Sequence, residues 1–225
     1  MKKKKRKRIL VVIILLVIGA ALLIVDQRWG VARLWNSYFT GGKKVVVLDA
    51  GHGGTDPGCG TGSPYEKDIT FNIVKEVQKE LEEQGYVVVL TREDDSLVSL
   101  GDRVLCSRVY NGDVFVSVHL NWAENTEAYG IETYCNQELN GNSAVLAKAL
   151  QKNVLDVTES NDRKIHVDSD FYVVRNSKVP SCLVEVGFLS SKQEGKKLKN
   201  EEYQKRISEG IVEGIHQYLT EISEK

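Results

Sequence analysis

Short β-branched runs alternate with helical stripes of apolar residues along most of the chain, and this alternation constrains the fold more than any other feature. Six runs predict strands, over residues 43–49, 86–90, 114–118, 130–135, 171–174 and 182–186. Apolar positions at helical spacing predict helices over residues 67–84, 98–110, 142–157 and 201–222. Strands that alternate with helices favour a layered α/β domain, with a mostly parallel, twisted sheet flanked by helices. We expect one such domain, over residues 43–225.

The first 25 residues have the composition of a membrane anchor. Residues 1–8 hold seven cations and no acid, and residues 9–25 are 17 uncharged apolar residues. A spanning helix needs about 20 residues, whereas the apolar part of a cleaved signal peptide usually has about 7–15. We therefore expect an uncleaved transmembrane signal anchor over residues 9–25, with signal cleavage and secretion as the alternative.

The charge distribution predicts the orientation of the chain and limits its partners. Basic flanks stay on the cytoplasmic side of a membrane, so residues 1–8 are expected there and the rest of the chain outside, on a single-pass protein of the cell membrane. Residues 26–42 are expected to be a juxtamembrane linker. The net charge of the whole chain is −1, but residues 9–225 carry 23 Lys and Arg against 31 Asp and Glu. With that acidic excess, no binding of nucleic acid is expected.

Three polar side chains stand at or near the ends of predicted strands, where α/β sheets bind their ligands. His52 lies between glycines in DAGHGGTDPG, residues 49–58, which does not match a phosphate-binding glycine pattern. His119 directly follows the predicted strand over residues 114–118. Glu185 lies between apolar neighbours inside the last predicted strand.

Each of these residues also has a structural interpretation. His52 alone is compatible with a histidine that stabilises a turn, and His119 with a buried core histidine. Glu185 is costly to bury without a partner, and an ion pair with Arg103 or Arg92 would satisfy it. Arg103 itself is expected to orient an acid rather than to take part in chemistry.

Glu66, at the start of the helix predicted over residues 67–84, completes a candidate metal site. An acid in a first helical turn ordinarily complements the helix dipole, but Glu66 follows the glycine loop closely enough to reach the space near His52. Two histidines and a carboxylate form the ligand set of a catalytic zinc with one position open for water. Glu185 is then available as the general base that takes the proton of that water.

Several motifs, in this order, resemble those of the zinc-dependent N-acetylmuramoyl-L-alanine amidases. They span residues 44–220 and are LDAGHGGTDPG (48–58), Glu-Lys-Asp (66–68), LTREDD (90–95), FVSVHLN (115–121), FYVVRNSKVPS (171–181) and LVEVGFLSS (183–191). The resemblance implies that the metal ligands of Zn²⁺ are His52, Glu66 and His119, and that Glu185 is the catalytic glutamate. It also implies hydrolysis of the amide that joins the lactyl group of N-acetylmuramic acid to L-alanine, so peptidoglycan is the expected substrate.

Other functions for the same residues stay open. Another zinc-dependent peptidase of the cell wall would use the same ligand set, and a non-catalytic wall-binding domain could share the fold. A binding domain has no need to bury Glu185, which favours the enzyme. The sequence identifies no protein partner.

Two further residues are candidate substrate contacts. Asn121 lies two residues past His119, and His166 precedes the strand predicted over residues 171–174, although an exposed loop histidine is the stronger expectation there. His216 is expected at the surface of the last helix. The four cysteines form no CxxC pair and are expected to be buried thiols rather than disulfides.

Overall fold

The structure, a computed structural model, describes residues 38, 40–60, 62–136, 142–167 and 170–223. The basic segment, the predicted anchor and the linker, apart from residues 38 and 40–42, lie outside these ranges. None of the helices within them combines the length and the apolar character that a membrane crossing requires. The chain from Lys43 onward forms one compact unit.

In the part of the chain that the structure describes, six strands form a single mixed sheet. They are β1 (Val45–Ala50), β2 (Val87–Leu90), β3 (Val114–Asn121), β4 (Ile131–Cys135), β5 (Asp162–His166) and β6 (Ser181–Phe188). Their order across the sheet is β2-β1-β3-β6-β4-β5, and every neighbouring pair is parallel except β4 with β6. The helices are α1 (Glu66–Glu83), α2 (Leu100–Val109), α3 (Asn142–Thr158), α4 (Tyr172–Asn176), α5 (Glu194–Leu198) and α6 (Glu201–Ser223). The prediction of an α/β domain with a mostly parallel sheet flanked by helices is confirmed.

The alternation of side chains along each strand gives the sheet two unlike faces. The first face packs with α1, α3 and α6, and the two central strands contribute only apolar side chains to it: Val114, Val116, Val118, Leu120, Cys182, Val184 and Val186. The second face carries a smaller apolar cluster and the polar side chains of the strands: Asp49, Ser117, His119, Glu132 and Glu185. Among the helices of the described residues, α2 and the short α4 are those that pack on this second face, and part of it stays open as a cleft.

Helix α6 packs closely on α3 because two glycines remove side chains from the contact. A Cβ atom at Gly210 would lie 2.8 Å from Val154 Cα, and one at Gly214 would lie 2.9 Å from Leu150 Cα. Farther along α6, Tyr218 is fully buried. Burying a large apolar side chain stabilises a fold by about 1.5–3 kcal/mol, so this side of the sheet supplies most of the packing energy.

The sequence prediction of a strand over residues 171–174 was wrong, because residues 172–174 belong to helix α4 and Phe171 caps its start. A run of four apolar residues does not distinguish the two, and here the amide of Arg175 donates to the carbonyl of Phe171, as in a helical turn. The fifth strand is β5 instead, which the prediction missed because its side chains are mostly charged and alternate between exposed and half-buried. His119 also lies within β3 rather than after it, since β3 continues to Asn121.

Candidate metal centre

The loop after β1 holds His52 in an unusual conformation that two arginines support. His52 has a φ of 61°, in the left-handed region that few residues adopt. Arg103 Nη2 donates to the carbonyl oxygen of His52 at 2.7 Å, and Arg92 donates to the carbonyls of Ala50 and Gly51 at 3.1 and 3.2 Å. Because both guanidinium groups are buried, this turn is fixed from inside the protein.

Glu66, the first residue of α1, brings a buried carboxylate between the two histidines. Its Oε1 lies 3.2 Å from His52 Nε2 and 3.0 Å from His119 Nδ1. The amide of Leu120 donates to the same oxygen at 2.9 Å, and the amide of Cys59 donates to Oε2 at 2.7 Å. Burial would raise the pKa of Glu66, but its hydrogen bonds with His119 and His52 hold that pKa well below the usual value.

One ligand atom from each of His52, Glu66 and His119 lies within 4.8 Å of the other two. Asp56 orients His52 through the ring nitrogen that faces away from the cluster. Its Oδ2 lies 2.8 Å from His52 Nδ1, so Nε2 of the same ring is directed toward the cluster. Burial lowers the pKa of His52, but Glu66 and then Asp56 outweigh that effect and raise it to about 9. Two imidazoles and a carboxylate oriented in this way fit a tetrahedral Zn²⁺ site with one open position, because a bound cation would displace the proton from the ligand nitrogen of His52.

Two glycines make room for this cluster. A Cβ atom at Gly51 would lie 2.4 Å from His119 Cε1, inside the imidazole ring's contact distance. A Cβ atom at Gly58 would lie 2.5 Å from Glu66 Oε2, and Gly58 also has a positive φ of 74°. The glycines of the first motif therefore allow the backbone to approach the ligands closely.

Glu185 lies beside the cluster on the neighbouring strand. It pairs with His119 in the register of β3 and β6, and only 8% of it is exposed. Its Oε2 is buried and has no hydrogen-bond partner among the described residues. Burial, reinforced by the charges of Glu66 and Glu132, raises the pKa of Glu185 to about 7, although both histidines oppose that shift.

The structural ion pair considered for Glu185 is not formed. Arg103 Nη1 instead pairs with Asp49 at 2.6 Å, which confirms that this arginine orients an acid, and Arg92 donates to backbone carbonyls. A cleft of about 510 Å³ opens along the second face of the sheet and is lined by both histidines and by Phe171. The buried carboxylate of Glu185 therefore stands near a ligand cluster that a substrate can reach.

The structure places the two secondary candidates around a glutamate that the sequence analysis missed. Asn121 Nδ2 donates to Glu132 Oε1, and His166 Nε2 lies 3.3 Å from Glu132 Oε2. His166 belongs to β5 rather than to a loop, and its ring stacks on that of Tyr134. The available signal was an acid within an apolar strand, the same signal that identified Glu185.

The remaining reactive side chains lie away from the cluster or are structural. His216 Nδ1 lies 2.8 Å from the hydroxyl of Tyr86 at the exposed side of α6, as expected for a surface role. The four cysteines form no disulfide in the described chain, and Cys135 and Cys182 are buried whereas Cys59 and Cys106 are half-buried. The expectation of full burial holds for two of the four.

The described chain is an α/β domain with a six-stranded sheet. A His–Glu–His cluster lies at the carboxyl edge of this sheet, with a buried glutamate beside it. These features place the protein among hydrolase-like domains with a candidate metal site. The model of the N-acetylmuramoyl-L-alanine amidase family matches residues 46–217. The chain belongs to this family of peptidoglycan amidases, and the resemblance found in the motifs is confirmed.

Individual relatives agree with this assignment. The Bacillus subtilis protein YqiI is 38% identical over 176 residues, which are 78% of this chain and 84% of YqiI. The probable cell wall amidase LytH of Staphylococcus aureus is 32% identical over 180 residues, which are 79% of this chain and 59% of LytH. The solved catalytic domain of CwlV, an N-acetylmuramoyl-L-alanine amidase from Bacillus (Paenibacillus) polymyxa, is 36% identical with a TM-score of 0.74, covering 79% of this chain and 98% of that domain.

Proposed function

We propose that this chain hydrolyses the amide between the lactyl group of N-acetylmuramic acid and L-alanine, with a zinc ion held by His52, Glu66 and His119 and with Glu185 as general base. The observation that carries the proposal is the convergence of three ligand atoms within 4.8 Å, with the buried carboxylate of Glu185 on the adjacent strand. Membership of the amidase family supports the choice of bond.

The donor set supports zinc in particular. Two imidazole nitrogens and one carboxylate oxygen are ligands that Zn²⁺ accepts, and the contact of Asp56 with His52 supplies the outer carboxylate that such sites use to orient a histidine. A zinc ion bound there would supply a Lewis acid that polarises the substrate carbonyl and lowers the pKa of a water molecule.

Glu185 is the group that accepts and donates protons in this proposal. Without a metal, burial raises the pKa of Glu185 to about 7, and a zinc ion bound nearby would lower it again and favour the ionised carboxylate. That carboxylate can accept a proton from water and later donate it to the departing amine. The unpartnered Oε2 leaves one oxygen of Glu185 available for that transfer. The apolar neighbours in β6 exclude water from the back of the carboxylate, because every residue of that strand is buried.

The test is product analysis with the purified full-length chain in detergent. Muropeptides are incubated with the protein, with and without a chelator, and the products are identified by mass spectrometry. We expect glycan to separate from stem peptides that begin with L-alanine, and the chelator to stop this cleavage. Release of single amino acids would identify a wall peptidase instead, and binding without any cleavage would identify a wall-binding domain.

A substitution separates the role of Glu185 from that of the metal ligands. Glu185→Gln is expected to lower kcat by about 10²–10⁴-fold while the zinc content stays at one equivalent, because general-base catalysis contributes about that much. Glu124→Gln, the same change at an exposed glutamate in the loop after β3, is the matched control and is expected to behave as the unmodified chain. Full activity of Glu185→Gln would remove the proposed general base.

We propose further that residues 9–25 anchor the chain in the cell membrane with residues 43–225 on the outer side. The apolar run and its basic flank support this placement. Cell fractionation and protease treatment of intact cells test it: the domain should sediment with membranes and be digested from outside. Recovery of a shortened chain in the medium would show cleavage and secretion.

A further inference from the structure

We infer that Glu132 is a positioning residue of this amidase, whose carboxylate holds Asn121, Arg163 and His166 together as a substrate-binding surface that adjoins the cleft. The four residues are called the Glu132 cluster below. The inference rests on the proposed function, since it assigns this surface to binding of the muramyl peptide.

Glu132 is a buried carboxylate with cationic and amide partners on several sides. Only 4% of the residue is exposed, which is costly for a carboxylate without partners. Asn121 Nδ2 donates to Oε1, and Arg163 Nε donates to Oε2 at 3.1 Å. His166 Nε2 lies 3.3 Å from the same Oε2. Asn121 belongs to β3, and Arg163 and His166 both belong to β5, so the carboxylate on β4 links three strands.

The positions of these partners are restricted at more than one point. The side-chain oxygen of Asn121 accepts a hydrogen bond from the amide of Trp122 at 2.8 Å, so both ends of the Asn121 amide are held. The guanidinium of Arg163 lies over the ring of Phe188 at 4.8 Å. The ring of His166 stacks on Tyr134 with a centroid distance of 4.8 Å, although 45% of its side chain is exposed. An exposed side chain that is held this firmly is suited to recognition, because little conformational entropy is lost when it binds.

The Glu132 cluster is continuous with the cleft and with the proposed general base. Glu132 stands directly opposite Glu185 in the register of β4 and β6. Tyr134, which supports His166, contacts the edge of Phe171 at a centroid distance of 4.9 Å, and Phe171 lines the cleft beside the two metal-binding histidines. A β-bulge between His119 and Asn121 shifts the register at this point, and bulges commonly redirect a side chain next to an active site.

Binding to an inactive protein separates this inference from the proposed reaction. Full-length Glu185→Gln protein, loaded with zinc, is titrated calorimetrically with a purified N-acetylmuramoyl tripeptide, with and without the additional change Glu132→Gln. Glutamine keeps the size of Glu132 and one acceptor oxygen but removes the charge. We expect the dissociation constant to rise by about 10–100-fold, a scale taken from the replacement of residues that orient metal ligands. Glu127→Gln, at an exposed ion pair with Lys192, is the control and should leave it unchanged.

A cycle of variants distinguishes positioning from a general effect on the fold. Because Glu132 acts through Asn121, Asn121→Ala and Glu132→Gln together should weaken binding by little more than the larger single effect. The inference would be overturned if the fold-changes in dissociation constant of the two single variants multiplied in the double variant. An unchanged dissociation constant in Glu132→Gln would overturn it as well. So would loss of zinc in Glu132→Gln, because none of its partners is a metal ligand.

A second variant covers the case in which Glu132→Gln does not fold. His166→Ala alters a half-exposed ring and is expected to raise KM by about tenfold with kcat nearly unchanged, since the ring binds substrate rather than reacting. Unchanged KM in this variant would overturn the inference. If the unmodified chain binds the muramyl tripeptide without cleaving it, the proposed reaction fails while the Glu132 cluster is still judged by binding.

Discussion

Arg103→Met is expected to be among the most destabilising single changes in the domain, because it leaves a buried charge without its partner. Asp49 is fully buried, and Arg103 Nη1 lies 2.6 Å from its Oδ1. Methionine fills similar volume but removes the cation and the hydrogen bonds to the carbonyls of Ala50 and His52. Breaking a buried pair from one side typically costs about 3–5 kcal/mol, against a total free energy of unfolding of about 5–15 kcal/mol.

The effect of pH gives this prediction a definite sign. Burial would raise the pKa of Asp49, but Arg103 and then the hydroxyls of Ser117 and Thr91 hold it below its usual value. A carboxyl group whose pKa is lower in the folded state stabilises that state above its unfolded pKa of about 3.9, and this contribution disappears as the pH falls through the folded pKa. Without Arg103, burial dominates and the pKa of Asp49 rises, so the ionised form destabilises the variant at neutral pH. The difference in unfolding free energy between the two proteins should therefore be largest near pH 7 and shrink toward pH 4.

Urea unfolding of residues 43–225, followed by circular dichroism at several pH values with zinc in excess, measures this difference. Lys152→Met is the control, since its ion pair with Asp156 is exposed and such pairs contribute about 0–1 kcal/mol. The double change of Arg103→Met with Asp49→Asn should cost less than the sum of the single changes, because the uncompensated charge is then absent. A loss below about 1 kcal/mol at pH 7, or a loss that does not change with pH, would refute the reasoning from a buried charge.

Three further outcomes are expected at the metal centre. Asp56→Asn should weaken zinc binding by about 10–100-fold, because His52 loses the carboxylate that orients it. Competition with a chelator measures the zinc affinity, and an unchanged affinity would argue against the orienting contact. Gly58→Ala should weaken zinc binding in the same assay, since its Cβ atom would lie 2.5 Å from Glu66 Oε2 at a positive φ. Gly62→Ala is the control and should retain zinc, because Gly62 also has a positive φ but nothing lies within 4 Å of its Cβ position. Zinc at about 1,000 times its dissociation constant should add about 4 kcal/mol to the unfolding free energy. The Tm should then lie roughly 8–16 °C above that of the chelated protein. An equal Tm with and without zinc would show that zinc does not stabilise the fold.

The sequence predicted most of the fold because the central strands and long helices have strong periodic patterns. β1 and β3 are rich in β-branched residues, and α1 has apolar residues at Ile69, Ile73 and Val77 that are all fully buried. The errors all involve short elements beyond these central ones, namely α4, β5 and the helix α5, which was not predicted. α4 is a single helical turn of five residues, and β5 is an edge strand whose charged side chains give no apolar signal, so tertiary contacts decide both.

The candidate site was predictable in its ligands but not in its supporting contacts. His52 and His119 stand out because each interrupts a glycine-rich or apolar pattern, and Glu66 because it begins a helix soon after the glycine loop. The structure brings their ligand atoms together. The contact of Asp56 with His52 depends on the path of the loop, and that of Glu132 with Asn121 depends on strand register. Register is set by packing over the whole sheet, so a single sequence does not specify which acid meets which partner.

The unlike faces of the sheet separate the demands of folding from those of recognition. Substitutions on the side of α1, α3 and α6 are constrained by close packing, as the contact of Gly214 with Leu150 illustrates. The opposite side is built largely from α2, the single turn of α4 and the loops at the strand ends, which contribute less to the core. During divergence, the exposed residues lining the cleft, such as Leu97, Leu100 and Tyr172, can therefore change to suit cell walls of different composition, whereas the buried pair of Asp49 and Arg103 must stay for the domain to keep its stability.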